Sequence, residues 1–210
     1  MIAMNIAIIG TGNVGGALAT RWSAQGHTIN IGVRDTEHFK GSSLLNNAHT
    51  QAFSIQEAVE RSEVVLIATP PLAIVDILPA MGDASSATYD KVIIDATNAV
   101  RHAPEPYKTV YHYLVANTSA DVVKCFNTTG FENMLNPVYN GVGIDAFMAG
   151  DSAKAKDIAK TLALNAGFGD CIDFGKGDKV ELLEQFALAW INLAIMQGHG
   201  RNIAFKLLRR

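Results

Sequence analysis

A glycine-rich turn near the start of the chain constrains the fold more than any other feature of the sequence. The turn has the pattern G-x-G-x-x-G and consists of Gly10, Thr11, Gly12, Asn13, Val14 and Gly15. An apolar run at residues 6–9 precedes it, and apolar residues at helical spacing follow it at Leu18 and Trp22. In a strand–turn–helix unit, the first glycine permits the turn, the second admits a pyrophosphate, and the third packs helix against strand. The turn therefore predicts a dinucleotide site at a helix N-terminus.

Strand-like and helix-like segments alternate along the first 140 residues. Short apolar runs predict strands at residues 28–33, 64–67, 92–94 and 122–123. Between them, Ser54 and Glu57 have the spacing of a capping box, and further helical stretches are expected at residues 71–81 and 107–116. Apolar strands joined by helices indicate a parallel sheet that is covered on both faces. We expect a doubly wound, Rossmann-type α/β domain over residues 1–140.

A smaller C-terminal region over residues 141–210 is expected to pack on the same sheet. Turn residues at 136–141 predict an ordered loop. A strand at residues 146–149, a helix capped by Asp151 and a strand at residues 171–174 should then extend the sheet. We expect the chain to end in a helical extension that begins at Asp178.

This final helix is apolar on every side between Phe186 and Met196, apart from Asn192. Such a helix is buried all round. Two interpretations follow: a central core helix, or a subunit interface that also roofs a binding pocket, with Trp190 as its anchor. The second interpretation predicts a homodimer. Basic residues near the chain end suit a helix C-terminus, and they are Arg201, Lys206, Arg209 and Arg210.

Composition narrows the location and the partners. The chain has 210 residues, of which 49% are hydrophobic and 18% are charged, so it can bury a sizeable core. A net charge of −3 disfavours nucleic-acid and anionic-membrane partners. The N-terminal apolar run lacks the flanks of a signal peptide, and Cys125 and Cys171 have no metal-ligand spacing. We expect a cytoplasmic protein with two buried cysteines and a small-molecule partner.

The end of the second strand decides which dinucleotide fits. A site for NAD places a carboxylate there, but we align Gly32 with that position. Arg34 can pair with the 2′-phosphate of NADP, and Thr11 and His38 can add hydrogen bonds. The alternative is a solvated Arg34 with Asp35 on the ribose of NAD. We favour NADP.

With these residues in view, the chain resembles the NADP-dependent oxidoreductases that use the deazaflavin coenzyme F420. The resemblance covers nearly the whole chain. It rests on G-T-G-N-V-G, on I-G-V-R-D at residues 31–35, on V-K-C-F-N-T-T-G at residues 123–130 and on W-I-N-L at residues 190–193. The K-x-F-N-T segment also resembles the NADPH-binding domain of six-transmembrane ferric reductases. Archaeal members of the first family carry serine, lysine and histidine where this chain has Val33, His38 and Asn127.

The resemblance implies hydride transfer between NADPH and a stacked deazaflavin or flavin-like ring. It implies that Thr11, Gly12, Asn13 and Val14 contact the diphosphate and that Arg34 binds the 2′-phosphate. Residues expected to line the ribose and nicotinamide are Thr69, Pro70, Asn98 and Asn127. Transfer between stacked rings needs alignment more than an acid or base, and we assign no catalytic residue and no metal.

Two other functions stay open. An NADP-dependent hydroxyacid or imine reductase would share the first half but needs a general acid, commonly a lysine closely followed by an asparagine. Here Lys179 and Asn192 lie far apart. A non-catalytic NADP redox sensor is the second alternative.

Overall fold

The computed structural model describes residues 2–86, 89–100 and 102–210. Ten strands are present in these ranges: β1 (Asn5–Ile9), β2 (Thr28–Val33), β3 (Thr50–Ser54), β4 (Val64–Ile67), β5 (Val92–Asp95), β6 (Asp121–Cys125), β7 (Val138–Tyr139), β8 (Val142–Gly143), β9 (Asp145–Ala149) and β10 (Asp170–Asp173). The α-helices of the described ranges are α1 (Asn13–Ala24), α2 (Ile55–Glu60), α3 (Ile74–Ala80), α4 (Val110–Asn117), α5 (Phe131–Leu135), α6 (Ala153–Ala166) and α7 (Val180–Ile191).

Eight strands form one sheet in the order β10-β9-β6-β5-β4-β1-β2-β3. The six strands from β3 to β6 are all parallel. Their order is that of dinucleotide-binding folds, in which ligands bind where the strand order reverses, here between β1 and β4. The predicted fold class is confirmed.

Strands β9 and β10 of the C-terminal region extend the eight-stranded sheet, whereas β8 pairs with β7 in a sheet of their own. Strand β9 runs antiparallel to β6, and β10 runs parallel to β9. The division into two regions at residue 140 stays a prediction.

Helices cover both faces of the sheet, because the unbroken apolar strands bury side chains on each face. One core cluster contains Trp22 of α1 and Leu162 of α6, and the indole N–H of Trp22 donates to the carbonyl oxygen of Leu162 at 2.9 Å. The other cluster contains buried residues of α2, α3, α4 and α7. Within the described ranges, no helix combines the length and the apolar character needed to cross a bilayer.

Two local predictions were wrong. The segment predicted as a loop at residues 136–141 contains strand β7 and the turn that joins it to β8, because Asn140 and Gly141 both take the positive φ of a two-residue hairpin turn. The N-cap of α6 is Ser152, whose hydroxyl accepts the N–H of Ala155, and not Asp151. The carboxylate of Asp151 instead accepts hydrogen bonds from Tyr111 and from the N–H of Gly177. The capping box at Ser54 is confirmed in part, since its hydroxyl accepts the N–H of Glu57.

The end of the chain also departs from expectation. Helix α7 continues into a π-helical turn, Asn192–Met196, and is not buried all round: Ile195 is 49% and Met196 is 73% exposed. The residues after it are not helical, so the predicted helix C-terminus at the basic residues is wrong. Arg201 pairs with Glu132, and Lys206 pairs with the buried Asp145 at 2.9 Å. These ion pairs hold an extended tail against the sheet domain.

Candidate functional site

The three glycines of the turn perform different tasks. A Cβ atom at Gly10 would lie 2.3 Å from the carbonyl oxygen of Ala68, and one at Gly15 would lie 1.9 Å from the carbonyl oxygen of Gly10. These two positions exclude any side chain. A Cβ atom at Gly12 would meet no other part of the chain within 4 Å, so this position opens outwards.

Backbone donors surround the open position. Gly12 is the N-cap of α1, and no side chain caps this helix. In the part of the chain that the structure describes, the N–H groups of Asn13, Val14 and Gly15 have no acceptor. Free N–H groups at the positive end of a helix dipole favour an anion. A cavity of about 330 Å³ opens here, lined in part by Thr11, Gly12 and Asn13.

The structure corrects the alignment of Gly32. Side chains alternate between the two faces of a strand, and an added Cβ at Gly32 would lie 2.4 Å from Cδ1 of Ile9 and 3.2 Å from Cβ of Ala58 in α2. Gly32 thus faces α2 and leaves no space for a ligand. Val33 packs with the core cluster on the α1 side, so the position beside the glycine-rich turn carries an apolar residue. A carboxylate for the ribose is absent at either position.

Basic side chains gather in the segment after β2. Arg34 is exposed and makes no ion pair with any described residue. Asp35, the alternative ribose ligand, accepts the N–H groups of Glu37 and His38 at 2.9 and 3.0 Å, so its carboxylate caps its own loop. The ring of His38 lies 3.7 Å from Asp35 and is largely exposed. Lys40 was missed by the sequence analysis: its carbonyl oxygen accepts the hydroxyl of Thr11, and it lines the same cavity.

A second group of polar residues lies at the carboxyl ends of β4, β5 and β6. The structure brings together Asn98 and Asn127, as expected: the side-chain amide of Asn98 donates to the backbone oxygen of Asn127 at 2.8 Å, and that of Asn127 donates to Oδ1 of Asn98 at 3.0 Å. Three buried oxygens here have no partner among the described residues, namely Oγ1 of Thr69, Oγ1 of Thr97 and Oδ1 of Asn127. Buried polar atoms normally have a hydrogen-bond partner, so these three oxygens are candidates for contact with a ligand or an ordered water. Thr97 was not predicted.

An apolar cleft of about 330 Å³ adjoins this group. Its lining includes Pro71, Asn98, Val100 and His102, together with Ile191 from α7. Pro70 begins the short 3₁₀ turn Pro71–Ala73 beside it. Lys179, considered as a general acid, is half-exposed and pairs with Asp178, and it is not part of the cleft lining.

A buried charge cluster is hydrogen-bonded to the backbone segment that contains the cleft residue Asn98. The ammonium group of Lys124 is fully buried and contacts Asp95 at 2.9 Å and Glu184 of α7 at 2.5 Å. Burial raises the pKa of the Glu184 carboxyl, and the charge of Lys124 acts in the opposite direction. The cluster was not predicted, although Lys124 interrupts an apolar run and Asp95 ends one. No group of three His, Cys, Asp or Glu side chains suited to a metal ion occurs in the described residues.

Comparison with known proteins agrees with this geometry. Residues 5–99 match the family of coenzyme F420-dependent NADP oxidoreductases. The chain is 27% identical to the F420-dependent NADP reductase of Methanothermobacter marburgensis, with 97% of this chain and 98% of that protein covered. The enzyme of the same name from Methanothermobacter thermautotrophicus is also 27% identical. The chain is thus similar to F420-dependent NADP reductases over nearly its whole length.

Solved structures extend the likeness to the whole fold. A crystal structure from Arthrobacter sp. FB24, described as a candidate F420-dependent NADP reductase, is 26% identical with a TM-score of 0.83 and covers 99% of this chain and 100% of its own. A reductive aminase from Aspergillus terreus, solved with NADPH, shares the fold at 21% identity and a TM-score of 0.66. This chain covers only 64% of the aminase, which is therefore a longer protein.

Proposed function

We propose that this protein is an NADP(H)-dependent oxidoreductase that transfers hydride between NADPH and a deazaflavin of the coenzyme F420 type. The observation that carries the proposal is a group of three buried oxygens without partners among the described residues, on Thr69, Thr97 and Asn127. These residues follow β4, β5 and β6 at the sheet edge where Asn98 lines an apolar cleft. The names of the two Methanothermobacter relatives support the same pair of substrates.

The residues at the glycine-rich turn fit the phosphates of NADP. Free N–H groups of Asn13, Val14 and Gly15 suit the diphosphate, and Gly12 leaves space for it. Arg34 has a guanidinium group available for a 2′-phosphate, with Lys40 nearby as a further cation. Val33 and the self-capped Asp35 offer the ribose of NAD no carboxylate. We therefore propose NADP rather than NAD.

The residues at the cleft fit the nicotinamide end. Hydroxyl oxygens of Thr69 and Thr97 can accept from ribose or amide donors, and Oδ1 of Asn127 can accept from the carboxamide. The amide pair between Asn98 and Asn127 fixes the direction in which this oxygen points. Asn98 thereby acts as a positioning residue for Asn127.

When bound, NADPH supplies a hydride to the acceptor ring. The chain contributes alignment and exclusion of water: the apolar side chains of Pro71, Val100 and Ile191 line the cleft in which a flat ring can stack. Hydride transfer from the nicotinamide carbon to a carbon or nitrogen atom of the acceptor ring needs no positioned metal. The domain division at residue 140 would assign the cofactor to residues 1–140 and the roof of the cleft to Ile191.

The test follows the loss of reduced-nicotinamide absorbance with NADPH and oxidised F420, with FMN as the parallel acceptor. We expect rapid oxidation with F420 and little with FMN. Thr97→Val removes one unpartnered hydroxyl at constant shape and should raise the KM for NADPH by about 2- to 10-fold. Thr161→Val, which removes a hydroxyl on α6 that bonds to Asp157, is the matched control.

Two outcomes would contradict the proposal. Oxidation by FMN alone would point to a flavin-linked reductase. Tight NADPH binding without turnover of either acceptor would favour a redox sensor.

We also propose that the protein acts in the cytoplasm as a homodimer. Two free cysteines support the cytoplasmic location, and the exposed apolar residues Leu182, Ile195 and Met196 support the homodimer. Light scattering after size-exclusion chromatography tests the dimer.

A further inference from the structure

The cluster of Lys124, Asp95 and Glu184 is larger than a simple ion pair. One positive and two negative groups meet in the protein interior, so the cluster carries a net charge of −1 when all three are ionised. Burial of unbalanced charge is costly and rarely stabilises a fold. The carboxylate in excess of the one that balances Lys124 is therefore a candidate for a role in function.

Both carboxylates hold the segment that lines the cleft. Oδ1 of Asp95 accepts the N–H of Thr97 at 2.9 Å, and Oε2 of Glu184 accepts the N–H of Ala99 at 3.0 Å. Asn98, which lies between these two residues, lines the cleft and pairs with Asn127. A single peptide unit therefore separates the Glu184 carboxylate from a residue that lines the cleft.

We propose that this cluster sets the relative affinity of the site for oxidised and reduced nicotinamide, an inference that rests on the proposed function. Loss of a hydride from NADPH removes two electrons and one proton from the ring, which changes from neutral to positively charged. The hydride passes to the acceptor ring, so atoms and electrons balance. With all three groups ionised, the net negative charge is hydrogen-bonded to the backbone on both sides of Asn98, and in a medium of low dielectric constant it stabilises a positively charged ring in the cleft. The cluster thus favours NADP⁺ and drives hydride donation by bound NADPH.

Three variants separate charge from position. Glu184→Gln removes the charge at nearly constant shape, Glu184→Asp keeps the charge but shortens the side chain, and Glu181→Gln neutralises an exposed carboxylate on the same helix that pairs with Lys108. Calorimetric titration measures the Kd of NADP⁺, of NADPH and of 2′,5′-ADP, which lacks the nicotinamide. We expect Glu184→Gln to raise the ratio of the NADP⁺ Kd to the NADPH Kd by about fivefold or more. The other two variants should keep the wild-type ratio, and the Kd of 2′,5′-ADP should not change.

Each other outcome has a defined meaning. An unchanged ratio in Glu184→Gln, with normal 2′,5′-ADP binding, would overturn the inference. Equal shifts in Glu184→Gln and Glu184→Asp would also overturn it, because the effect would then depend on position rather than charge. If Glu184→Gln fails to bind 2′,5′-ADP, Asp95→Asn replaces it with the same expected ratio and the same refuting result. Failure of the wild-type protein to bind any of the three ligands would instead refute the proposed function.

Discussion

Alanine substitutions at Gly12 and Gly15 test separately the two tasks of the glycine-rich turn. A methyl group at Gly12 would meet nothing within 4 Å, and the φ of −75° suits alanine. We expect Gly12→Ala to change the free energy of unfolding by no more than about 0.5 kcal/mol. At Gly15 the methyl group would lie 1.9 Å from the carbonyl oxygen of Gly10, so α1 must move away from the turn. We expect a cost of about 3 kcal/mol, or a Tm lower by roughly 6–12 °C.

Gly12→Ala, the variant that should hardly change stability, should weaken the binding of NADPH strongly. Gly12→Ala keeps its Tm, but its methyl group occupies the space where the diphosphate approaches, so the Kd of NADPH should rise at least about tenfold. Thermal unfolding and fluorescence titration measure the two quantities. Gly16→Ala is the control for stability, since its methyl group would make an ordinary contact with Leu44 at 3.7 Å. A wild-type Kd in Gly12→Ala would refute the proposed phosphate position, and a Tm loss as large as that of Gly15→Ala would refute the turn geometry.

Three further predictions follow from single features. Arg34→Ala should lower the preference for NADPH over NADH, measured as the ratio of kcat/KM values, by about tenfold or more at unchanged Tm, because Arg34 is exposed and unpaired among the described residues. Burial lowers the pKa of His27 from 6.5, and Nδ1 of this ring accepts the N–H of Met4. The stability that neutral His27 contributes is therefore present above pH 6.5 and declines as the pH falls towards the folded pKa. His27→Gln should flatten the decline in Tm from about pH 7 to about pH 5.5. The Sγ atoms of Cys125 and Cys171 are 3.7 Å apart, but their strands are separated by β9, which places the Cα atoms roughly 9–10 Å apart, beyond the span of a disulfide. Burial also raises the pKa of the Cys125 thiol. Oxidised glutathione should therefore leave both thiols titratable after denaturation, whereas a disulfide would show that the strands move.

The parts of the fold that depend on local pattern were predicted well. Strand β2 has the predicted bounds, and the apolar runs of β4 and β5 lie where they were expected, because a parallel strand buried on both faces is apolar throughout. Strand β3 was missed because it lies at the sheet edge and lacks an apolar run. Thr50 and Gln51 are polar, and Ala52 is only partly buried. The length and the apolar character of a sequence segment predict such an edge strand only weakly.

The motif identified the turn between β1 and α1 correctly, whereas the alignment of Gly32 was wrong because it depended on the face of a strand. The ligand contacts of the site residues stay predictions. The glycine-rich turn and the meeting of Asn98 with Asn127 follow from strand order, since the carboxyl ends of parallel strands lie at one edge. Gly32 was placed at the ligand, but a shift of one residue along a strand moves a side chain to the opposite face. Its tight contact with Ile9 and Ala58 became visible only in three dimensions.

The buried charge cluster shows that a sequence can indicate a buried charge pair without identifying both partners. Lys124 interrupts an apolar strand, and Glu184 lies on the buried face of α7 with Leu183 and Ala187. Because a charge in such a place needs an opposite partner, each residue predicts that another buried charge exists. The identity of the partner depends on packing between α7 and a strand 60 residues earlier, which no local pattern encodes. Isolated charges in apolar segments therefore indicate buried charge clusters, and here the cluster is bonded to the segment that lines the cleft in which we place hydride transfer.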